Sequence, residues 1–378
     1  MAGSAVARGL RVLLTVDAVG GVWQYGLDLA RGLAARGAEP VLVVLGPSPD
    51  AAQRAEAEAI SGARLIDTGL PLDWLCEGPE PIAKAAKVVA GIAGDIRADI
   101  VQANMPTLAA AMPVLTPIVA VTHGCVSTWW AAARPGEPLA RQFGWHRTMT
   151  GEGLRAADRV VAPSASYART IAQAYDLSTK PCVVHNGRSP IATVSAERLT
   201  PRALTVGRLW DHVKQADLLD RVAARLDVPF DAAGAVTGPH GERAQLGHLV
   251  QLGQLDGEDL GRHLARRPVF VSAASFEPFG LAVLEAAQAG CALVLSDIDT
   301  FGELWNDAAL FVPHDKDAAY VHAIGALLRD PDWRLELGEK ARARARRFTP
   351  QAMADGMLAI YADVLGHGAR SSSGKVAA

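Results

Sequence analysis

The sequence predicts an α/β protein of two successive Rossmann-like domains, and three observations carry that prediction. Short, mostly apolar runs such as Pro40–Leu45 (PVLVVL) and Val269–Ser272 (VFVS) alternate with stretches whose apolar residues recur at helical spacing. Strands buried on both faces of a parallel sheet read this way. The alternation runs through twice, with the irregular stretch Asn186–Pro201 (NGRSPIATVSAERLTP) between the two series. The length of 378 residues suits two domains at roughly 150 residues each.

The first series opens with a strand at Arg11–Val16, a turn at Asp17–Gly21 and a helix over Val22–Arg36, on which Tyr25, Leu27, Leu29, Ala30, Leu33 and Ala34 form the apolar positions. Gly37 ends that helix and Pro40–Leu45 is the next strand, completing a β-α-β unit. Strands at Arg64–Ile66, Asp99–Gln102, Ile118–Thr122, Asp158–Ala162 and Lys180–His185 follow, with helices at Ile82–Ile92 and Ser164–Tyr175. The second series places strands at Arg202–Val206, Phe230–Ala232, Leu249–Leu252, Val269–Ser272 and Ala292–Leu295, and helices at Gln215–Leu226 and Pro278–Ala289. Helices at Ala318–Arg329, Pro331–Arg347 and Pro350–Leu365 close the chain, before a small, polar tail (GHGARSSSGKVAA) expected to be disordered. The expected division is therefore a first domain over residues 1–185 and a second over 186–350. A C-terminal helix over 351–366 is a candidate to return to the first domain, and 367–378 is the tail. The linker after Asn186 is the candidate hinge, and the two domains are expected to face each other across a cleft.

Composition narrows the function. Half the residues are apolar and a fifth charged, as a packed core requires. Lys and Arg total 37 and Asp and Glu 40, a formal charge of −3, so generic binding to nucleic acid through its phosphates is not expected. Cys76, Cys125, Cys182 and Cys291 are scattered without a CxxC pair or zinc spacing, which suits a reducing cytoplasm. The first apolar run is too short and polar for a signal peptide, and Met105–Thr122 is broken by three prolines, so no spanning helix is expected. Peripheral membrane contact stays open. The basic run Lys340–Arg347 spreads around a helix with Asp332, Glu336 and Glu339 just upstream, which reads as a solvated face; attachment to anionic lipid is its alternative.

The segment Ser275–Gln288 (SFEPFGLAVLEAAQ), directly after the apolar strand VFVSA, is the most informative. With Pro278 suited to the first helical position, the amides of Phe279, Gly280 and Leu281 would sit at a helix start, an anion site. Glu285 lies one turn deeper on the face of Leu281, where a carboxylate can accept hydrogen bonds from paired ribose hydroxyls; Glu277 lies at the mouth. On the residues alone, both glutamates read equally as ordinary helix charges. Upstream, Arg208 and Lys214 (VGRLWDHVK) follow a strand end, where two cations can stabilise a departing diphosphate without a metal; surface ion pairs with Asp211 or Asp217 are the plain alternative.

This pattern resembles the retaining glycosyltransferases of the GT-B fold, in particular family four, over roughly residues 11–365. Glu277 and Glu285 stand at the spacing of that family's paired-glutamate motif. Arg208 and Lys214 match its diphosphate-holding segment, and Gly20-Gly21-Val22 its glycine-rich first loop. Pro163-Ser164 and His185-Asn186-Gly187 resemble its interdomain segments, and Ala292–Asp297 the strand after the motif helix.

The resemblance implies a retaining transfer of a sugar from a nucleotide-diphosphate sugar to an acceptor that the sequence does not identify, with no cofactor and no metal. It implies that Arg208, Lys214 and the amides of Phe279, Gly280 and Leu281 hold the diphosphate, Glu285 the ribose, and Glu277 the region of the donor sugar. Gly20 and Gly21 would lie near the diphosphate and His123, at the end of a first-domain strand, near the sugar. A backbone-satisfied core histidine is the alternative for His123. Cys125 beside it has no neighbouring cation to activate it as a nucleophile.

Asp297-Ile298-Asp299 invites a metal reading. Where the family has a Gly-Gly turn followed by Pro-Glu, this chain has Asp299-Thr300 and then Gly302 before Glu303, and that departure leaves the loop shape open. Trp23, Trp74, Trp129, Trp130 and Trp145 all fall in the first half and offer either core filling or stacking faces for an acceptor. Other readings of the same fold are a sugar-nucleotide epimerase, a phosphorylase or a catalytically silent binding protein. A nicotinamide dehydrogenase fits less well because DAVGGVWQYG lacks the G-x-G-x-x-G spacing.

Overall fold

The computed structural model describes residues 7–192 and 199–373, with side chains described to residue 366. The chain divides into two compact units. Unit 1 comprises residues 1–131, 136–187 and 349–378, and unit 2 residues 132–135 and 188–348. The crossings fall at 187/188 and 348/349, near the expected 185/186 and 350/351. Packing sets the difference: a Cβ on Gly187 would overlap the backbone of Thr349 and Pro350, so those residues belong with unit 1.

Unit 1 holds seven parallel strands: β1 (Arg11–Asp17), β2 (Glu39–Leu45), β3 (Arg64–Leu70), β4 (Ile100–Ala103), β5 (Ile118–Val121), β6 (Arg159–Ala162) and β7 (Cys182–Val183). Their order is β3-β2-β1-β4-β5-β6-β7. The helices, in chain order, are α1 (Gly21–Ala34), α2 (Ala51–Glu58), α3 (Glu80–Asp95), α4 (Pro106–Ala109), α5 (Val126–Ala133, whose end passes into unit 2), α6 (Gly144–Ala156) and α7 (Ala165–Ala174). Alternate residues of β1 feed opposite faces. Val12, Leu14 and Val16 pack with Leu27, Leu33 and Tyr361 on one side, and Leu13 packs with Ile82, Val89 and Met149 on the other. That period of two, buried twice, is why the strand reads as an unbroken apolar run.

Unit 2 repeats the plan with β8 (Ala203–Val206), β9 (Phe230–Ala233), β10 (Val250–Gly253), β11 (Val269–Ser272), β12 (Leu293–Ser296) and β13 (Leu310–Val312), all parallel. Their order is β10-β9-β8-β11-β12-β13. Its helices are α8 (Ala216–Ala223), α9 (Gly257–Ala265), α10 (Leu281–Gln288), α11 (Asp299–Trp305), α12 (Asp317–Arg329) and α13 (Pro331–Ala345). In each sheet the order reverses direction once, between β1 and β4 and between β8 and β11. The carboxyl ends of strands at such a switch point splay apart and leave a crevice for ligands.

The last helix, α14 (Pro350–Ser373), lies in unit 1, where Met353, Met357, Tyr361 and Val364 join the core beside α1. Gly32 of α1 makes that fit: a Cβ there would stand 2.7 Å from the Cβ of Ala354 and 2.9 Å from the carbonyl oxygen of Pro350. The helical backbone runs to Ser373, into the stretch expected to be an irregular tail, because extending a formed helix costs far less than starting one. Residues 374–378 lie outside the described ones, as does part of the candidate hinge at 193–198. Among the described residues no helix is long and apolar enough to cross a membrane.

Candidate active site

Unit 2 gathers the predicted cations and glutamates at its switch point. Beyond β8 the chain keeps pairing with its neighbour, Gly207 N donating to Ala233 O at 3.0 Å and Leu209 N to Ala235 O at 2.9 Å. The approach is so close that a Cβ on Gly234, whose φ is 133°, would overlap the carbonyl of Gly207. Asp211 then caps a short 3-10 turn, His212–Lys214, its Oδ1 accepting from Val213 N at 3.3 Å. Its other oxygen, Oδ2, accepts from Arg208 Nη2 at 2.9 Å, so one buried carboxylate orients both the turn and the arginine. The guanidinium lies 5.7 Å over the Trp210 ring, and about half of the Arg208 side chain remains exposed. Gln215 follows in the left-handed region at φ 53° and precedes α8.

Lys214 Nζ donates to Glu277 Oε2 at 2.6 Å, with both side chains about four-fifths buried. Ser275 N donates to Val213 O at 2.8 Å, joining the two loops directly. The sequence alternative of surface pairing therefore holds in part for Arg208, which meets Asp211, whereas Lys214 meets the glutamate of the motif segment. The helix start differs from expectation. Gly280 has φ 92° and ψ 71°, outside the helical region, so α10 begins at Leu281 and not at Pro278. The amides without an intrahelical acceptor are thus those of Leu281, Ala282 and Val283, while Phe279 is buried with its ring edge-on to Phe348.

Glu285 lies inside α10 and is 8% exposed, so it is not a solvated helix charge. Its Oε1 accepts from Arg188 Nε at 2.7 Å, and Gln288 Nε2 donates to Arg188 O at 2.7 Å. Arg188 is the first residue of unit 2 after the crossing, and its N–H donates to Phe348 O at 3.2 Å, on the segment between α13 and the last helix. Sequence reasoning missed this partner. The arginine in the irregular NGRSP stretch was the available signal, but nothing local links it to Glu285.

In unit 1, Asp17 Oδ1 accepts from Val19 N at 3.0 Å and Gly20 N at 3.2 Å, shaping the first loop so that Gly20 caps α1 and Gly21 begins it. His123 follows β5 with its Nε2 3.3 Å from Asn104 Oδ1 and its ring 4.3 Å from that of Tyr25, edge-on. Burial lowers its pKa to about 4, so the imidazole is neutral at physiological pH. The backbone-satisfied alternative is not what is seen, since the hydrogen-bond partner of His123 is the side-chain amide of Asn104. Cys125 Sγ lies 3.2 Å from both Thr128 Oγ1 and Tyr175 OH.

The remaining expectations divide. Trp23 is 1% exposed and is core, whereas Trp129 and Trp130 are half-buried, with ring centroids 6.4 Å apart. Asp297 and Asp299 are exposed, and Asp299 begins α11 where a loop was expected. The basic run behaves as a salt-bridged helix face, with Lys340 on Glu336 at 2.7 Å and Arg344 Nε donating to Leu304 O at 2.6 Å.

The chain is similar to known proteins in sequence and in fold. The sequence profile described as Glycosyltransferase Family 4 matches residues 19–190, and that described as Glycosyl transferases group 1 matches residues 200–330. A D-inositol 3-phosphate glycosyltransferase of Nocardia farcinica is 28% identical over 296 residues, 68% of this chain and 64% of that protein. A phosphatidyl-myo-inositol mannosyltransferase of Mycobacterium leprae is 30% identical over 186 residues, 46% of this chain and 49% of that protein. The chain thus spans between about half and two thirds of these relatives' lengths. Among solved structures, a sucrose-phosphate synthase from Thermosynechococcus elongatus superposes with a TM-score of 0.77 at 18% identity, covering 95% of this chain and all of that one. HepE from Anabaena, in complex with UDP and glucose, gives a TM-score of 0.72 at 16% identity, covering 94% of this chain and all of that one. The fold is GT-B.

Proposed function

The chain belongs to the family 4, group 1 glycosyltransferases, and from that premise we propose that it transfers a sugar from a nucleotide-diphosphate sugar to an acceptor with retention of anomeric configuration. The observation that carries the reading is the convergence of Lys214, Glu277, Arg208 and the first turn of α10 on one switch point of unit 2. Cleavage of the bond between the anomeric carbon and the diphosphate oxygen leaves that oxygen with the bonding electrons. Charge of that kind is stabilised best by donors already in place. Lys214 and Arg208 supply two such cations and the amides of Leu281, Ala282 and Val283 the dipolar end of a helix.

The pairing of Lys214 with Glu277 holds the ammonium where the diphosphate would lie, and Glu277 itself is assigned to the donor sugar. Glu285, oriented by Arg188, is assigned the ribose hydroxyls. Gly20 and Gly21 are assigned to the donor's diphosphate and His123 to its sugar. With two cations supplying the positive charge, the proposal includes no metal and no cofactor. A cytoplasmic setting belongs to the same proposal, and the acceptor is left as a glycan, a lipid or a small molecule.

A thermal-shift panel of UDP, GDP and ADP with their sugars tests the donor assignment, since a ligand that binds only the folded chain raises its apparent stability. One base is expected to stand out. Product analysis by mass spectrometry with that donor then separates transfer from epimerisation, and a panel with no shift at all would contradict the reading.

A further inference from the structure

His123 is held by a network of neutral side chains that is fixed at the Thr15 carbonyl and ends on the C-terminal helix, with each fixed partner setting the orientation of the next. Asn104 Nδ2 donates to the carbonyl oxygen of Thr15 at 2.7 Å, and its backbone N–H donates to Thr15 Oγ1 at 2.9 Å. A carbonyl only accepts, so the amide cannot be reversed, and Oδ1 must face the other way. There it accepts from Gln102 Nε2 at 2.9 Å and meets His123 Nε2 at 3.3 Å. Gln102 is fixed by that same oxygen, which can only accept from its Nε2; its Nε2 then also donates to Tyr25 OH at 3.1 Å, and its Oε1 accepts from Tyr361 OH at 2.5 Å. Gln102 and Tyr361 are fully buried, Tyr25 is 2% exposed and Asn104 8%. The phenols of Tyr25 and Tyr361 are pushed above their ordinary range by burial and stay neutral.

An acceptor oxygen at Asn104 leaves one arrangement for the imidazole. We infer that Asn104 holds His123 as the Nε2–H tautomer, so that His123 offers Nδ1 to a ligand as a hydrogen-bond acceptor, with Gln102 and Tyr361 as positioning residues behind it. This rests on the assignment of His123 to the donor sugar. Its consequence for recognition is definite: the histidine selects a hydroxyl that can donate, and neither protonates the leaving group nor pairs with an anion. Tyr361 gives α14 a second part beyond core packing, because its hydroxyl terminates the chain that sets the tautomer.

The test uses the full chain with ring-15N histidine and long-range proton–nitrogen spectra at neutral pH, with His123 identified by the signal lost in His123→Gln. A protonated Nε2 and an unprotonated Nδ1 are expected, with Nδ1 moving when the donor found by thermal shift is added. An Nδ1–H tautomer, an averaged pair or an imidazolium overturns the inference. In Asn104→Ala the preference is expected to collapse to a mixture, and kcat/KM to fall about tenfold, the worth of one hydrogen bond; an unchanged Nε2–H signal overturns the role of Asn104. Tyr361→Phe, which removes only the terminal hydroxyl and keeps the ring in the core, covers the case in which Asn104→Ala does not fold, and it too is expected to loosen the tautomer. A tautomer unmoved in Tyr361→Phe removes Tyr361 from the chain. If the wild-type tautomer is as inferred but His123→Gln keeps full transfer, the sugar contact of His123 fails while the tautomer assignment stands.

Discussion

Replacing Arg188 by Met tests whether the buried pair beneath the donor site behaves as the structure implies. The Arg188 and Glu285 side chains are 7% and 9% exposed and 2.7 Å apart, so water cannot take over the role of the lost partner. Removing one member of a buried pair costs about 3–5 kcal/mol, because the remaining charge stays desolvated. At about 2–4 °C per kcal/mol for a unit of this size, the melting temperature should fall by roughly 10 °C. Replacing both members, Arg188→Met with Glu285→Leu, removes the charge along with its partner and should recover most of the loss, although nucleotide binding should not return. Urea unfolding followed by circular dichroism reads the stability, and nucleotide titration reads the binding. A single variant within about 1 kcal/mol of wild type, or a double variant no more stable than the single one, would refute the reasoning.

Three further outcomes follow from the same geometry. Gly280→Ala forces a side chain onto φ 92° and sets its Cβ 3.3 Å from both Glu277 Cγ and Phe301 Cε1; a stability loss of about 1–3 kcal/mol with weakened nucleotide binding is expected by thermal shift. Gly234→Ala should damage the Arg208 loop, because its Cβ overlaps the Gly207 carbonyl, and full donor affinity in a folded Gly234→Ala protein would count against that loop's role. His123 has a folded pKa lowered to about 4 against an ordinary 6.5. The unfolded chain therefore binds the proton first, and this residue's contribution, up to about 3 kcal/mol, is intact above pH 6.5 and lost as pH falls toward 4. An NMR titration placing His123 near 6.5 would contradict that.

The strands were legible where burial on both faces makes them continuously apolar, as in Pro40–Leu45 and Val269–Ser272, and the repeated order of two series gave both sheets. Short edge elements were not. β13 is only Leu310–Val312, and its pairing with β12 depends on distant residues that no local pattern records. Helix α6 (GWHRTMTGEGLRA) went unassigned, and its Gly153 is there for packing: a Cβ would overlap the carbonyl of Pro106. Helix α11 went unseen because its start falls where the resembled family has a turn.

At the site, Arg208, Lys214, Glu277 and Glu285 were legible as residue types at strand ends and on a helix. The start of α10 shifted because the conformation of Gly280 overrides the preference of Pro278 for a first helical position. Arg188 escaped because its partner is 97 residues away, and the Asn104–Gln102–Tyr361 chain because it joins β4 to a helix at the far end of the sequence.

The central claim is that two cations and a helix start receive the departing diphosphate. Turnover and nucleotide affinity in Lys214→Ala and Arg208→Ala, measured beside their unfolding curves, test it most directly. Expected are turnover reduced about a hundredfold or more in Lys214→Ala, weaker binding of the nucleoside diphosphate in both variants, and a folded protein whose stability loss is smaller than that of Arg188→Met, since about a fifth of each side chain of the Lys214–Glu277 pair stays exposed. Wild-type turnover and nucleotide affinity in a folded Lys214→Ala protein would contradict it.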